Sequence, residues 1–252
     1  MKTDHPTLHY RAQMRKLWQD AFGDTDIFLD SFFQTAYIPD HCLAIFAEDA
    51  IASILYWIDC EIQDQKLAYI YAVVTDPVHR GKGLCRKLME DTHALLKARG
   101  YAGSVLVPQK ESLRKMYEGM GYQNTGGLSV FSCDAGSDPV SLQTIGPQEF
   151  AALRRRYLPE NAVVQEGRGL SFLAQQLQFY AGDDFLLAAY AEDGTLHGME
   201  LLGRRDAAPG ILAGLGISSG TFRLPGTEKL FAMYCPLSEN TVCPDYFGFA
   251  FD

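Results

Sequence analysis

Residues 73–100 read VVTDPVHRGKGLCRKLMEDTHALLKARG, and this stretch decides the fold prediction. An apolar run ends at Asp76-Pro77, a turn with two glycines and two cations follows at 80–83, and a helical pattern then continues to Gly100. Apolar residues fall on one face of that pattern and charged residues on the other, which predicts an amphipathic helix. Glycines before a helix start let a ligand approach the free backbone N–H groups. The stretch therefore predicts a strand, an anion-binding turn and a helix, with a phosphorylated cofactor as candidate ligand.

Apolar runs on both sides extend this prediction to a sheet. KLAYIYAVVT at 66–75 is typical of a strand that is covered on both faces, and GSVLVP at 103–108 predicts a short strand. Strand, helix and strand in this order normally form a right-handed crossover between parallel strands. The other elements predicted for the first half are helices at 10–22, 24–37 and 111–118 and strands at 42–47, 51–62 and 128–133.

The second half repeats part of this plan after a linker at 134–139, DAGSDP. FAEDAIASILY at 46–56 and YAEDGTLHGMEL at 190–201 share an aromatic residue, Ala-Glu-Asp and a turn into a strand. We therefore predict two related units, 1–134 and 140–252, the second without the glycine-rich turn. The elements predicted for the second unit are helices near 147–157, 169–180 and 207–215, two strands within 185–203, and strands near 221–224, 229–235 and 246–251.

Composition limits the partners and the compartment. The formal net charge is −9, and an acidic chain is a poor candidate for nonspecific nucleic-acid binding because phosphate attraction needs a basic surface. The six cysteines form no CxxC pair, and no His or Cys cluster has zinc-ligand spacing, so no metal is expected. There is no secretory signal pattern and no apolar run long enough to span a bilayer. We expect a cytoplasmic protein with reduced thiols and neither nucleic acid nor membrane as partner.

The glycine-rich turn narrows the cofactor class. The Walker pattern is absent, and the dinucleotide pattern GxGxxG fails because Arg86 stands at its third glycine. The run from Arg80 to Cys85, RGKGLC, resembles the [Q/R]xxGx[G/A] signature of the GNAT acetyltransferases, with Cys85 in place of the final Gly or Ala. YEGMGY, from Tyr117 to Tyr122, matches the later Tyr-x-x-x-Gly-[FY] element of that family. Lys110 stands where the family usually has Asn. The resemblance covers about the first 133 residues.

This resemblance implies an α/β fold, the mixed-sheet GNAT acyl-CoA N-acyltransferase fold, with a second, smaller GNAT-like unit. It implies acetyl-CoA as cosubstrate and attack on the thioester by a primary amine of a small-molecule or peptide acceptor. Tyr117 would be the general acid that protonates the leaving thiolate; the plainer interpretation is a half-buried aromatic residue on a helix. Main-chain groups of Val73, Val74 and Thr75 would bind the pantetheine arm. The pyrophosphate would lie on residues Arg80, Gly81, Lys82, Gly83, Leu84, Cys85 and Arg86.

Several alternatives stay open at the level of sequence. The general base could be Asp59 or Glu61, or the carboxylate after Phe251-Asp252, and Tyr69 and Tyr71 could line either the cleft or the core. The chain could instead be a non-catalytic or regulatory acyl-CoA-binding protein, or a transferase for longer acyl groups. The second unit could shape the acceptor pocket or form the contact of a homodimer. The fold alone names no acceptor, because the same fold hosts many.

Overall fold

The computed structural model describes residues 1–250. Its strands are β1 (Lys2–Asp4), β2 (Cys42–Ala47), β3 (Ala50–Ile62), β4 (Gln65–Thr75), β5 (Gly103–Leu106), β6 (Gln123–Asp134), β7 (Gln143–Ile145), β8 (Gln178–Ala181), β9 (Phe185–Glu192), β10 (Thr195–Gly203), β11 (Ser219–Pro225) and β12 (Lys229–Pro236). Its α-helices are α1 (Arg11–Phe22), α2 (Asp26–Thr35), α3 (Leu84–Ala98), α4 (Glu111–Glu118), α5 (Pro147–Tyr157), α6 (Gly167–Leu173) and α7 (Ala208–Leu215).

The chain divides into two compact units that alternate along the sequence. The first unit contains Met1–Gln123 and Met233–Val242, and the second contains the other described residues. These units differ from two consecutive blocks at 1–134 and 140–252, because residues 233–236 of β12 pair antiparallel with β5 of the first unit. The sequence gives no sign of this return, since strand pairing is a tertiary property.

The first unit is a mixed sheet with helices on both faces. Its strand order is β1-β2-β3-β4-β5-β12, and only β4 and β5 run parallel. Helix α3 connects these two parallel strands, which confirms the predicted strand–helix–strand unit. The apolar side of α3, including Leu88 and Leu96, packs against a sheet face that includes Trp57 and Ile70. Helices α1 and α2 place aromatic side chains on the other face, where Trp18 lies 5.1 Å from Tyr56 between ring centroids.

The second unit has a mixed sheet of order β6-β11-β10-β9-β8-β7, in which only β10 and β11 run parallel. The strand predicted at 128–133 is part of the longer β6, whose residues 128–134 pair antiparallel with β11. The helix predicted at 169–180 was wrong in its second half, because α6 ends at Leu173 and β8 begins at Gln178. Residues 246–250 form no strand; Tyr246 makes a single parallel bridge to Ala162.

Candidate active site

The turn before α3 leaves the start of that helix open. Gly81 and Gly83 both have φ of +74°, and Gly83 is the N-cap of a helix of 15 residues. Residues with a Cβ atom rarely adopt this backbone conformation, which explains why both positions are glycines. A Cβ atom added at either position would meet no other atom within 4 Å. The free N–H groups at the helix start are thus accessible to a ligand, and the helix dipole favours an anion there.

Three cations surround this turn, and they are held by carbonyl groups rather than by carboxylates. Arg80 Nε donates to Thr75 O at 3.1 Å, Lys82 Nζ to Val78 O at 3.0 Å and Arg86 Nη1 to Gly119 O at 2.7 Å. All three side chains are exposed, and within residues 1–250 none of them forms an ion pair. Their charges are positioned but not neutralised. The turn therefore fits a pyrophosphate, which is bound best by charged donors together with backbone N–H groups.

Strands β4 and β5 separate beside the turn. They pair only from Leu67 with Gly103 to Tyr69 with Val105. Farther along β4, Ala72 has φ of +48°, and the register of β4 against β3 shifts around it. A bulge of this kind bends a strand and ends regular pairing.

The three residues predicted to bind the pantetheine arm follow this bulge. Val74 still pairs with Ile54 of β3, and the Ser53 hydroxyl donates to the Val74 carbonyl at 3.0 Å. Alternation along an antiparallel strand turns the main-chain groups of Val73 and Thr75 away from β3, toward the side that β5 has left. Two of the three residues therefore offer backbone groups to an extended ligand, whereas Val74 belongs to the ladder.

Tyr117 lies on α4 in a protected position. Its side chain is buried, and its ring is 5.7 Å from that of Tyr122 at an interplanar angle of 63°. Burial, with a smaller contribution from the nearby Cys85 thiol, raises the pKa of Tyr117. The phenol stays protonated at neutral pH and can donate a proton. A general acid must be protonated before the reaction, as this phenol is, but the raised pKa makes it a weaker proton donor. The same burial also fits a structural aromatic residue.

A polar network beneath Tyr117 was not foreseen from the sequence. The Tyr122 hydroxyl lies 2.7 Å from Ser104 Oγ and 2.9 Å from His93 Nε2, and these two atoms are 3.1 Å apart. Burial lowers the pKa of His93 to about 4, so the imidazole is neutral at neutral pH. His93 lies on α3, Ser104 on β5 and Tyr122 in the segment between α4 and β6, and the three residues share no sequence pattern. Their network fixes the ring that packs against Tyr117.

The candidate bases occupy different environments. Asp59 accepts a hydrogen bond from the Tyr101 hydroxyl at 2.5 Å and pairs with Lys66 at 3.1 Å. Its carboxylate is therefore already engaged. Tyr69 and Tyr71 are buried with their ring centroids 5.7 Å apart, and Glu61 is half-buried at the end of β3. The carboxylate after Phe251-Asp252 lies outside the described residues.

Comparison with known proteins identifies the first unit. A family model for the acetyltransferase (GNAT) domain matches residues 4–125. The first unit of this chain belongs to the GNAT superfamily. No curated protein sequence matches the chain.

Solved structures of GNAT proteins share the fold over almost the whole chain. A GCN5-related N-acetyltransferase from Kribbella flavida is 16% identical with a TM-score of 0.71, covering 94% of this chain and 72% of its own. One from Anabaena variabilis is 14% identical with a TM-score of 0.72, covering 94% and 73%. A tandem GNAT protein from the clavulanic acid biosynthesis pathway is 10% identical with a TM-score of 0.58, covering 95% and 100%. These likenesses establish a GNAT fold that extends into the second unit.

The second unit lacks the glycine-rich turn that precedes α3 in the first unit. In the first unit, a short 3-10 helix at Pro77–His79 is separated from α3 by the four residues of the turn. In the second unit, the corresponding 3-10 helix at Arg205–Ala207 runs directly into α7. No residues are left there to form an anion-binding loop.

Across the described residues, no helix is long and apolar enough to cross a membrane.

Proposed function

We propose that this chain is an N-acetyltransferase that transfers the acetyl group of acetyl-CoA to a primary amine of a small-molecule or peptide acceptor. The observation that carries the proposal is the separation of β4 from β5 at the Ala72 bulge, next to the open start of α3. An extended pantetheine arm would bond to the main chain of Val73 and Thr75. The pyrophosphate would lie on the turn at residues 80–86.

The chemistry requires two proton transfers. The acetyl thioester supplies the acyl group when it is bound. The acceptor nitrogen forms a bond to the carbonyl carbon, and the carbon–sulfur bond breaks. Tyr117 would give its hydroxyl proton to the departing sulfur and regain one from solvent. An alkyl amine has a pKa of about 10.4, so the acceptor must first lose a proton to a base or through water.

A calorimetric titration with acetyl-CoA tests this proposal. In Gly83→Glu, a carboxylate would occupy the place of the pyrophosphate, so we expect binding to be lost. Gly23→Glu is the matched control, because Gly23 has φ of +77° and open space around its Cβ position but caps α1. Both variants carry similar backbone strain and the same added charge. Wild-type protein that does not bind acetyl-CoA, or equal binding by both variants, would contradict the proposed cofactor site.

A non-catalytic acyl-CoA-binding protein is the second candidate, and Lys110 favours it. Lys110 is the N-cap of α4 but makes no side-chain capping bond, at a position where the GNAT family usually has Asn. An amine panel with thiol-release detection separates the two functions. Turnover on any amine that falls in Tyr117→Phe supports the transferase. Acetyl-CoA binding without turnover on all amines supports the second candidate, and assays with longer acyl-CoA thioesters then determine the acyl preference.

A further inference from the structure

Aromatic rings fill the sheet face of the first unit that α1 and α2 cover. We call the set Trp18, Phe32, Phe33, Tyr37, Tyr56 and Tyr71 the aromatic cluster. Trp18 is central to it, with ring centroids 4.7 Å from Phe32 and 5.4 Å from Tyr71. Tyr56 lies directly opposite Tyr71 in the register of β3 and β4. The aromatic cluster therefore reaches the residue that immediately precedes the Ala72 bulge.

Three polar groups inside this cluster have no polar partner among residues 1–250. The Tyr56 hydroxyl is completely buried without a hydrogen bond, in a side chain only 1% exposed. Buried tyrosine hydroxyls normally have a partner. The Arg11 guanidinium lies 3.7 Å above the Phe33 ring centroid and 5.5 Å from that of Tyr37, and it makes neither a hydrogen bond nor an ion pair. The Tyr37 hydroxyl also makes no hydrogen bond.

The three groups are near one another and lack a negative charge. Burial lowers the pKa of Arg11, while the phenols of Tyr37 and Tyr56 and the Asp30 carboxylate act on it through space in the opposite direction. Asp30 is not available as a partner, because Arg15 Nη1 donates to it at 2.6 Å. The cluster therefore presents one planar guanidinium and two hydroxyl donors among aromatic rings.

We propose that Arg11, Tyr37 and Tyr56 bind the carboxylate of the acceptor, which makes the acceptor an amino carboxylate of the amino-acid class. A guanidinium and hydroxyl donors fit a carboxylate in geometry as well as in charge. The surrounding rings would contact an apolar side chain of the acceptor. This inference rests on the proposed acetyltransferase function.

The position of the cluster agrees with this role. Helix α3 covers the opposite face of the sheet, where Trp57 and Ile70 are buried beneath it. We infer that an acceptor reaches the Ala72 bulge from the face of Tyr56 and Tyr71, at the rim of the cluster where Arg11 and Tyr37 are only half-buried. With its carboxylate at Arg11, its amine is directed toward the bulge where the thioester would lie. The unpaired Tyr56 hydroxyl on that face is costly to retain in a core without a ligand.

Acetyl transfer to matched acceptors tests the inference. L-Phenylalanine and L-phenylalaninamide share the ring and a primary α-amine, but only the acid carries a carboxylate. Because the carboxylate makes the neighbouring amine more basic, kcat/KM is compared at a pH where both amines are unprotonated. We expect kcat/KM to be roughly 10- to 100-fold higher for the acid, as loss of a hydrogen bond between charged groups implies. Arg11→Gln should remove this preference. Lys16→Gln, which removes an exposed cation from the same helix, should keep it. Equal rates for acid and amide in the wild type would overturn the inference while leaving the acetyltransferase function in place.

A second variant and a binding measurement distinguish the inference from the function on which it rests. Tyr56→Phe removes only the unpartnered hydroxyl, so we expect an unchanged or higher Tm together with a KM for L-phenylalanine about tenfold higher. An unchanged KM would show that Tyr56 is only structural and would contradict the subsite. If no amine is acetylated, L-phenylalanine binding is measured by ligand-observed NMR without acetyl-CoA. Binding that Arg11→Gln abolishes would still support the subsite, and absence of binding to the wild type would refute it.

Discussion

A buried ion pair holds the last described residues of the chain in the second unit. Arg154 Nε and Nη2 donate to the two carboxylate oxygens of Glu200 at 2.7 and 2.8 Å, and both side chains are almost completely inaccessible. The Tyr246 hydroxyl donates to the same carboxylate at 2.9 Å, and Gln165 Nε2 donates to Phe249 O at 2.7 Å. The pair is thus surrounded by contacts that fix residues 246–249.

The substitution Glu200→Gln should destabilise the protein severely. It keeps the shape of the side chain but leaves the Arg154 charge buried without a counter-charge, and it directs an amide N–H₂ group at a guanidinium. Breaking one partner of such a pair costs about 3–5 kcal/mol. For a chain of this size, each kcal/mol lowers Tm by about 2–4 °C, so we expect a decrease of about 6–20 °C.

Calorimetric unfolding with hydrogen exchange at Val163 measures this effect. The Val163 N–H donates to Tyr246 O at 2.8 Å, so its protection reports on the 246–249 segment directly. The double variant Arg154→Met/Glu200→Leu removes both charges and should be far less destabilised than Glu200→Gln, because no charge is left unpaired. A loss below about 1 kcal/mol in Glu200→Gln would refute the reasoning, since it would mean that water or another group solvates Arg154.

Three further outcomes are expected. Tyr117→Phe should lower kcat by roughly 10²- to 10⁴-fold with an unchanged Kd for acetyl-CoA, and an unaltered kcat would exclude the general-acid role. The pKa of His93 is lowered from 6.5 to about 4, so as the pH falls the unfolded state binds a proton before the folded state does. The free energy of unfolding, measured with urea, should therefore be highest above pH 6.5 and fall by up to about 3 kcal/mol toward pH 4. His93→Gln should show a flatter pH profile. Gly103→Ala should destabilise by about 1–3 kcal/mol, because its Cβ would lie 2.3 Å from the Tyr234 ring, whereas Gly100→Ala meets no atom and should show only the smaller strain of its positive φ.

The sequence predicted best the elements that carry their own local signals. The predicted strand at 42–47 and helix at 111–118 have the same bounds in the structure, because apolar periodicity and flanking turn residues define them. Helix α2 also carries a local signal, because the side chain of its N-cap Thr25 accepts from Phe28 N. The glycine turn before α3 was predicted correctly for the same reason, because an N-cap residue with a positive φ is usually a glycine.

Features that depend on distant residues were not predictable in this way. The helix predicted at 169–180 continued past Leu173 because its apolar spacing persists, but pairing of β8 with β9 overrides that local preference. The network of His93, Ser104 and Tyr122 joins residues from α3, from β5 and from the segment between α4 and β6, none of which is distinctive alone. The orphan hydroxyl of Tyr56 is likewise a property of its surroundings and not of the strand that carries it.

Because the two units alternate along the sequence, the sheet beside the glycine-rich turn depends on residues near the far end of the chain. In the first unit, β5 lies between its parallel neighbour β4 and the antiparallel β12. In the second unit, β11 lies in the same way between the parallel β10 and the antiparallel β6. In each unit, the strand that pairs antiparallel with the second of the two parallel strands thus comes from the other half of the sequence. Without residues 233–236, the fully buried β5 would become an exposed edge, and exposed apolar edges promote aggregation. The GNAT match at 4–125 therefore contains the glycine-rich turn and Tyr117 but not the complete sheet that supports them.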